Sequence, residues 1–529
     1  MKRLLSLVLA LMLAMAAMVV PAMAEDAKQV IITSIADDPE VMNPTECSFA
    51  RSSRVLQNLF TGLYKMDSNG ETYIPSLAES YEMSEDGLTY TFTLKDGLKW
   101  SDGSDLTAYD FEYSWLTTLY PVSNASNDLW VIKNGEAYSK EEVSAEEVGV
   151  KALDEKTFQV ELEAATPWFI NLTATTSFMP ICKANAEANE NWSGSVETYV
   201  SDGPFMLQEY SSLARLVMVK NPYYYDADKV QIDELQFVVI PDSAAALTAY
   251  NNGEINVNSD LASDALIQYA NSDELYTKGR IGIQYCDFNC SLPEFSDKRV
   301  RQAFAMAIDR KAMLTALGII EPAVYGFVPY SQMSLTDPTK TYREVAGDMF
   351  TEDVAAAQTL MSEAGYPNGE GFPTVLLVCK NDNQQKLMMQ MLGEFWKQNL
   401  GVSYDIQTLE SSVYWGDLAA GKFGVDRNGF TCDYLDPSAH LKIFTDGSNA
   451  SENQWDDPVY TQMYKDSLQM TDPAEREAAL IEMEKYLTDV MPAFPVYSYE
   501  LQYLVKPEVK GVIANPIGHF FFEYATVGE

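Results

Sequence analysis

Leu88-Thr89-Tyr90-Thr91-Phe92-Thr93-Leu94 sets large apolar residues in strict alternation with threonine. Successive side chains of a strand point to opposite faces, so Leu88, Tyr90, Phe92 and Leu94 share one buried face and the threonines take the other. That is the pattern of a half-buried antiparallel strand. Asp96-Gly97 and Asp102-Gly103 punctuate the stretch as turns. Thr107, with Asp110 three residues on, forms a capping box, and residues 111–119 continue as a helix.

Outward from this stretch, strands and helices keep alternating. Upstream, 30–34 is a short β-prone run, and 51–64 is a helix with Val55, Leu59 and Leu63 on one face. Downstream, 203–220 is a strand pair ended by Asn221-Pro222 and Tyr223-Tyr224-Tyr225. Strands follow at 235–240, 282–289, 374–379 and 402–409. The spacing predicts a helix over 243–250 stopped by Asn252-Gly253. It predicts one continuous helix over 297–317 with Val300, Phe304, Ala307 and Ile308 inward. A third covers 384–400 with Leu387, Met391 and Phe395 inward and Gly401 at C′. Asp472-Pro473 with Glu475 is a helix start: N-cap, proline at N1 and an acid at N3. The expectation is an α/β chain of more than one lobe. No long Pro/Gly linker separates the lobes, so the chain crosses between them several times.

At 529 residues the chain exceeds a single core, and two or three domains are expected. Its net charge of −41 makes the surface self-repelling and argues against nucleic acid or anionic membrane as partners. At the N-terminus, Lys2 and Arg3 precede an apolar stretch and then Pro21-Ala22-Met23-Ala24, the pattern of a cleaved signal peptide over 1–24. No cysteine follows the cleavage point, so no lipid anchor is expected. The six cysteines, Cys47, Cys182, Cys286, Cys290, Cys379 and Cys432, allow 15 full pairings. Cys286 and Cys290, four residues apart in a strand, would lie roughly 13 Å apart, too far to bridge.

The sequence holds two histidines, His440 and His519, and no nucleophile elbow, phosphate-binding loop, HExxH or CxxC. It therefore gives no support to a catalytic centre or a resident metal, and no cofactor is expected. A carboxylate pair of the glycosidase kind cannot be recognised among 77 acids.

Asn58-Leu59-Phe60-Thr61-Gly62-Leu63, Pro75-Ser76-Leu77-Ala78-Glu79-Ser80, Asp86-Gly87-Leu88 and Trp100-Ser101-Asp102-Gly103 follow one another in order. Gly203-Pro204-Phe205, Asn221-Pro222-Tyr223-Tyr224, Phe295-Ser296-Asp297-Lys298-Arg299-Val300-Arg301 and Met491-Pro492-Ala493-Phe494-Pro495 continue the series. The ordered set resembles the family 5 extracellular solute-binding proteins of ABC importers over essentially the whole mature chain. The resemblance implies a two-lobe periplasmic-binding-protein-like fold of the cluster C type, closing on its ligand by hinge motion. Lobe I would comprise 25–62, 178–282 and 490–529, with an extra domain at 63–177, and lobe II would be 283–489.

Asn381-Asp382, Phe395-Trp396-Lys397-Gln398-Asn399-Leu400-Gly401 and Arg427-Asn428-Gly429-Phe430-Thr431-Cys432-Asp433-Tyr434 look most like the oligopeptide-binding members. By that resemblance Asp433 pairs with a peptide's α-ammonium, and a dry cleft needs such an anionic partner. An Asx turn before Asp436-Pro437 is the other reading of that aspartate. The backbone of Gly429, Phe430, Thr431 and Cys432 would bond the ligand's main chain by strand addition. Cys47, Ser48 and Phe49 hold the matching place on the other lobe. Arg427 falls where the family meets a ligand carboxylate, and a structural salt bridge is equally consistent. Gln384 stands where some members carry a histidine, and Phe430 where some carry a tryptophan. The resemblance thus implies a monomeric, non-enzymatic, periplasmic or extracellular carrier of short peptides whose partner is a membrane permease. A sugar oligomer or nickel chelate on the same fold is the alternative.

Overall fold

The computed structural model describes residues 28–120, 123, 125–432, 434–445 and 453–528; the predicted leader 1–24 and Asp433 lie outside the described residues. The chain opens with β1 (Val30–Ile35) and α1 (Ala50–Leu59). A four-stranded unit follows: β2 (Ala78–Met83), β3 (Thr89–Leu94), α2 (Ala108–Thr118), β4 (Val150–Ala152) and β5 (Thr157–Glu161). Next come β6 (Phe205–Ser211), β7 (Arg215–Lys220), β8 (Glu234–Val239), α3 (Ser243–Asn252), β9 (Val257–Asn258) and the long β10 (Leu275–Asp287). Then α4 (Lys298–Met306), α5 (Arg310–Leu317), β11 (Val375–Lys380), α6 (Asn383–Leu400), β12 (Tyr404–Leu409), β13 (Val425–Asp426) and β14 (Asn428–Thr431) build a second body. α7 (Pro458–Leu468) and α8 (Pro473–Val490) complete it, and the long β15 (Ala493–Val505) returns to the first.

The main sheet has eight strands in the order β14-β10-β15-β9-β1-β8-β7-β6. Pairing is parallel at β1–β8 and β1–β9 and antiparallel elsewhere. The β2–β5 unit forms its own antiparallel sheet, order β2-β3-β5-β4, and β12-β11-β13 is parallel. One apolar core joins Ile31, Leu235 and Phe237 of the main sheet to Phe92, Trp115 and Phe158 of the four-stranded unit. A separate core gathers Phe304, Leu377, Trp396 and Phe494 around the parallel sheet. The two bodies meet along β10 and β15, which are 13 residues each and pair antiparallel from Leu275↔Leu504 to Asp287↔Ala493. Their register breaks between Gly279 and Ile283.

Local signals account for most elements. In β3, Tyr90, Phe92 and Leu94 are buried and the threonines are not. Thr107 and Asp110 make the capping box of α2, and Asp472 accepts from the amides of Ala474 and Glu475 at the start of α8. Gly253 and Gly401 stop α3 and α6 at φ 75° and 72°, in the left-handed region where a Cβ is strained. None of the six cysteines forms a disulfide, and β10 ends at Asp287, short of Cys290.

Three expectations fail for identifiable reasons. The first helix ends at Leu59 rather than 64. Gly203 N–H donates to its last carbonyl (2.8 Å), and the amides of Ser76 and Ala78 claim Leu63 C=O (2.9 and 3.1 Å), drawing the chain into a strand pair. The stretch 297–317 is two helices. Asp309 caps α5 through Ala312 N–H, while Trp396 Nε1–H and Asn399 Nδ2–H bond Phe304 and Ala307 C=O at 2.9 and 2.7 Å. In α6 the inward stripe is Met388, Leu392, Trp396 and Leu400, and Leu387 is exposed. Trp396 decides that rotation: it is fully buried, edge-on or tilted against Phe494 and Phe304. Trp396→Ala should therefore cost about 3–5 kcal/mol in urea unfolding, whereas Leu387→Ala on the outer face should stay within about 0.5 kcal/mol.

Candidate functional site

β14 is an edge strand. It pairs with β10 on one side, in register Gly282↔Thr431 through Tyr285↔Asn428, and has no strand on the other among the described residues. Cys432 N–H donates to Ile281 C=O at 3.0 Å. Antiparallel partners alternate between bonded and non-bonded pairs, so Phe430 faces β10 while Gly429 and Thr431 turn their peptide groups to the open side. Asn428 Oδ1 accepts from Gly429 N–H at 2.8 Å, fixing the first turn of that edge. Asn428 is itself held by Asp287 (3.0 Å) and by the amide of buried Gln284.

The side chains of β14 also alternate. Phe430 packs edge-on against buried His440, with ring centroids 5.6 Å apart. Gly429 lies under Tyr499 of β15: a Cβ there would come within 2.1 Å of the phenol oxygen. One at Gly282 would meet the same ring at 2.6 Å. These glycines open the trough in which Tyr499 lies, its hydroxyl 3.3 Å from Gln284 Oε1. Burial pushes the Tyr499 phenol up to about 12, so it stays neutral.

Arg427 stands at the start of this strand, half-buried. Its Nη2 reaches Tyr497 Oη at 3.4 Å, its Nε is buried without a partner, and no carboxylate lies within ion-pair distance among the described residues. The salt-bridge reading of Arg427 therefore finds no partner here.

Beyond the other end of β14, two adjoining clefts open between the bodies. One is walled by Cys47, Ser48 and Phe49 on one side and Tyr434 on the other, and encloses about 1370 Å³ with its open mouth. The second, about 690 Å³, is lined by Arg54, Arg280, Thr431, Cys432 and His519. Ala50, Ile517 and His519 border both. Ser48 and Phe49 are exposed, while Cys47 and Cys432 are buried and their amides are donated to Pro44 C=O (3.2 Å) and Ile281 C=O (3.0 Å). Burial raises the Cys47 thiol pKa, which leaves it inert.

The loop after position 433 is fixed from two directions. Tyr434 stacks on Trp168 with centroids 5.0 Å apart and rings 9° from parallel, and Asn171 Nδ2–H donates to Leu435 C=O at 2.7 Å. Asp436 forms a bidentate buried pair with Arg476 of α8, both bonds 2.8 Å. Removing one partner of such a pair typically costs about 3–5 kcal/mol.

The structure thus gathers Cys47, Ser48, Phe49, Thr431 and Cys432 around adjoining clefts, with Gly429, Phe430 and Arg427 along the same strand. Gln384 is exposed in the first turn of α6 and lines neither cleft. Sequence reasoning passed over Arg280, Tyr499 and Trp168. No spacing rule marks them, because their roles arise from register between distant segments. No cluster that could hold a metal ion occurs among the described residues.

Tyr499→Phe should relieve part of the clash created by Gly429→Ala. The alanine variant should lose about 1–3 kcal/mol in urea unfolding, and the double variant less. The histidines supply a second measurement. Burial pulls His440 down to about 3; burial, with Arg54 and Arg280 adding to it, pulls His519 down to about 4. Both native pKa values lie below that of the unfolded chain. The stability they contribute is full above about pH 6.5 and is lost as pH falls toward 4. In imidazole NMR of the native protein, neither ring should titrate between pH 8 and pH 5.

Comparison with known proteins accords with this geometry. The family model described as bacterial extracellular solute-binding proteins, family 5 Middle, matches residues 72–452. The periplasmic murein peptide-binding protein MppA of Escherichia coli K12 is 30% identical over 92% of this chain and 91% of its own. The oligopeptide-binding protein OppA of Bacillus subtilis 168 is 28% identical over 94% and 92%. Among solved structures, the unliganded open form of the murein tripeptide-binding protein MppA superposes with TM-score 0.85 at 28% identity, covering 95% of this chain and 98% of that one. Another structure of Escherichia coli MppA, at the same identity and with 95% and 99% covered, gives 0.69.

Proposed function

The chain belongs to family 5 of the bacterial extracellular solute-binding proteins, and we propose that it captures a short peptide between its lobes and delivers it to the permease of an ABC importer. The members are substrate-binding transport proteins rather than enzymes. The observation that carries the peptide reading is the unpaired edge of β14 at the interlobe cleft. A strand edge bonds any peptide main chain regardless of side chains, which is the chemistry of an oligopeptide carrier.

In this reading Gly429 and Thr431 of the Gly429–Cys432 segment supply the main-chain contacts, Phe430 and Cys432 hold the segment to β10, and Cys47, Ser48 and Phe49 close on it from the opposite wall. Asp433 receives the α-ammonium, and the unpaired guanidinium of Arg427 receives a carboxylate. Gln384, at the exposed start of α6, reaches the ligand only after closure. The lobes divide as 25–62, 178–282 and 490–529 against 283–489, with 63–177 as the extra domain, and they rotate about the register break in β10 and β15. The carrier acts as a monomer outside the cytoplasm, without a lipid anchor and without nucleic acid.

Thermal unfolding of refolded, ligand-stripped protein tests this. A pool of three- to five-residue peptides should raise the midpoint, by the equivalent of about 2.7 kcal/mol at a hundredfold excess over Kd. The same pool N-acetylated should not, and Asp433→Asn should remove the difference. If neither pool moves the midpoint, peptides are not the ligand, and sugar oligomers and nickel chelates become the next screen.

A further inference from the structure

The described arginines fall into three groups. Arg51, Arg54, Arg215, Arg299, Arg310, Arg343 and Arg476 each lie against a carboxylate. Buried Arg301 is instead held by several carbonyl oxygens. Only Arg280 and Arg427 have neither arrangement, and they bracket β14: Arg427 precedes it, and Arg280 sits on β10 just past the Gly282↔Thr431 pair. Four strand residues between them span roughly 13 Å.

The surroundings of Arg280 are built, not incidental. Its Nη2 makes one long bond to Ile517 C=O at 3.4 Å, and its Nε is buried without a partner. Arg54 lies near it with like charge, its own partners Ser259 (3.0 Å) and Asp260 (3.6 Å) lying outside the lining of this cleft. His519, the third group on this wall, is neutral. The cleft they share with Thr431 thus has two guanidinia, one of them without any anion, in a protein of net charge −41. Gly518, with φ 106°, brings no side chain to this wall, and even a Cβ there would clear the Arg280 guanidinium by 3.7 Å. A half-buried guanidinium whose Nε–H is buried and unmet is costly unless an anion joins it.

We propose that the Arg54–Arg280 cleft is an anion subsite, and that this protein prefers peptides carrying an acidic side chain in the first or second residue. This rests on the reading of β14 as the peptide-binding edge. The ligand's terminal carboxylate goes to Arg427 and its side-chain carboxylate to Arg280, so each free guanidinium gains one partner on closure. Thr431, whose peptide groups face outward between them, fixes the distance from main chain to subsite.

Calorimetric titration of the stripped full mature chain with Ala-Glu-Ala-Ala and Ala-Gln-Ala-Ala, and with Glu-Ala-Ala-Ala and Gln-Ala-Ala-Ala, decides the matter. In at least one pair the glutamate peptide should bind about tenfold or more tightly, the strength of one charge-assisted contact. Arg280→Gln should abolish that advantage, the ratio of affinities within the pair falling to about one; Arg280→Lys, which keeps the charge and loses the fork, should retain part of it. Equal binding within both pairs, or an advantage that survives Arg280→Gln, overturns the subsite while leaving peptide binding intact. Binding of none of the four overturns the peptide reading, and the subsite with it. The wild-type comparison stands even if a variant fails to fold.

Discussion

β10 and β15 must stay hydrogen-bonded to each other while running from one lobe into the other, and this constraint shapes the rest of the molecule. A continuous ladder over 13 residues would be stiff. Here the ladder is interrupted where it crosses: Ile281 N–H turns to Pro516 C=O at 2.9 Å, and the register shifts between Gly279 and Ile283. Such an irregularity bends a strand and re-aims its side chains. Bending costs least where ladder bonds are missing, so the hinge and the site share one location. Arg280 lies in the break, Tyr499 lies over it, and β14 hangs on the strand just beyond. Motion about this seam changes the spacing between the Cys47–Phe49 wall and the β14 edge while leaving each lobe's core untouched.

The edge strand is exposed for a reason that also protects it. An unpaired edge invites aggregation unless it is short, covered or interrupted. β14 is four residues long and recessed between two bodies; on its open side it meets only what enters the cleft. Gly429 sets its shape twice over. It admits the Tyr499 ring, and it leaves the outer peptide groups without a side chain to shield them. Affinity then comes from main-chain bonds, and discrimination is left to whatever charged groups flank the strand.

Much of the scaffold was legible in the sequence because its signals are local. The alternation in 88–94, the Thr107/Asp110 box, Asp472-Pro473 and the stop glycines each act within a few residues. Readings failed where distant groups decided. Leu387, Met391, Phe395 and Met388, Leu392, Trp396 are both apolar stripes at helical spacing, and only the bond from Trp396 to Phe304 C=O selects between them. The break at Asp309 likewise depends on side chains of α6 some 90 residues away. For the site, the β14 segment was found through the family pattern rather than through periodicity, since four residues carry no periodic signal. Arg280 was invisible for a further reason. An arginine declares itself only by what it fails to touch, and that is a property of the folded molecule.

The charge distribution favours one orientation of an incoming ligand. A short peptide is a dipole with an ammonium at one end. A field from −41 charges attracts that end and repels the carboxylates, although at physiological salt the effect fades beyond about 8 Å. In the proposed reading the ammonium therefore leads into the cleft. Carboxylates held off at long range meet attraction only at contact, where Arg280 and Arg427 stand in surroundings too dry to screen them. Long-range repulsion with short-range attraction slows the entry of anions without specificity and strengthens the grip on those that fit both arginines. An acidic carrier can thus select acidic ligands, provided that its binding cations are few, half-buried and without a carboxylate partner, as these two are.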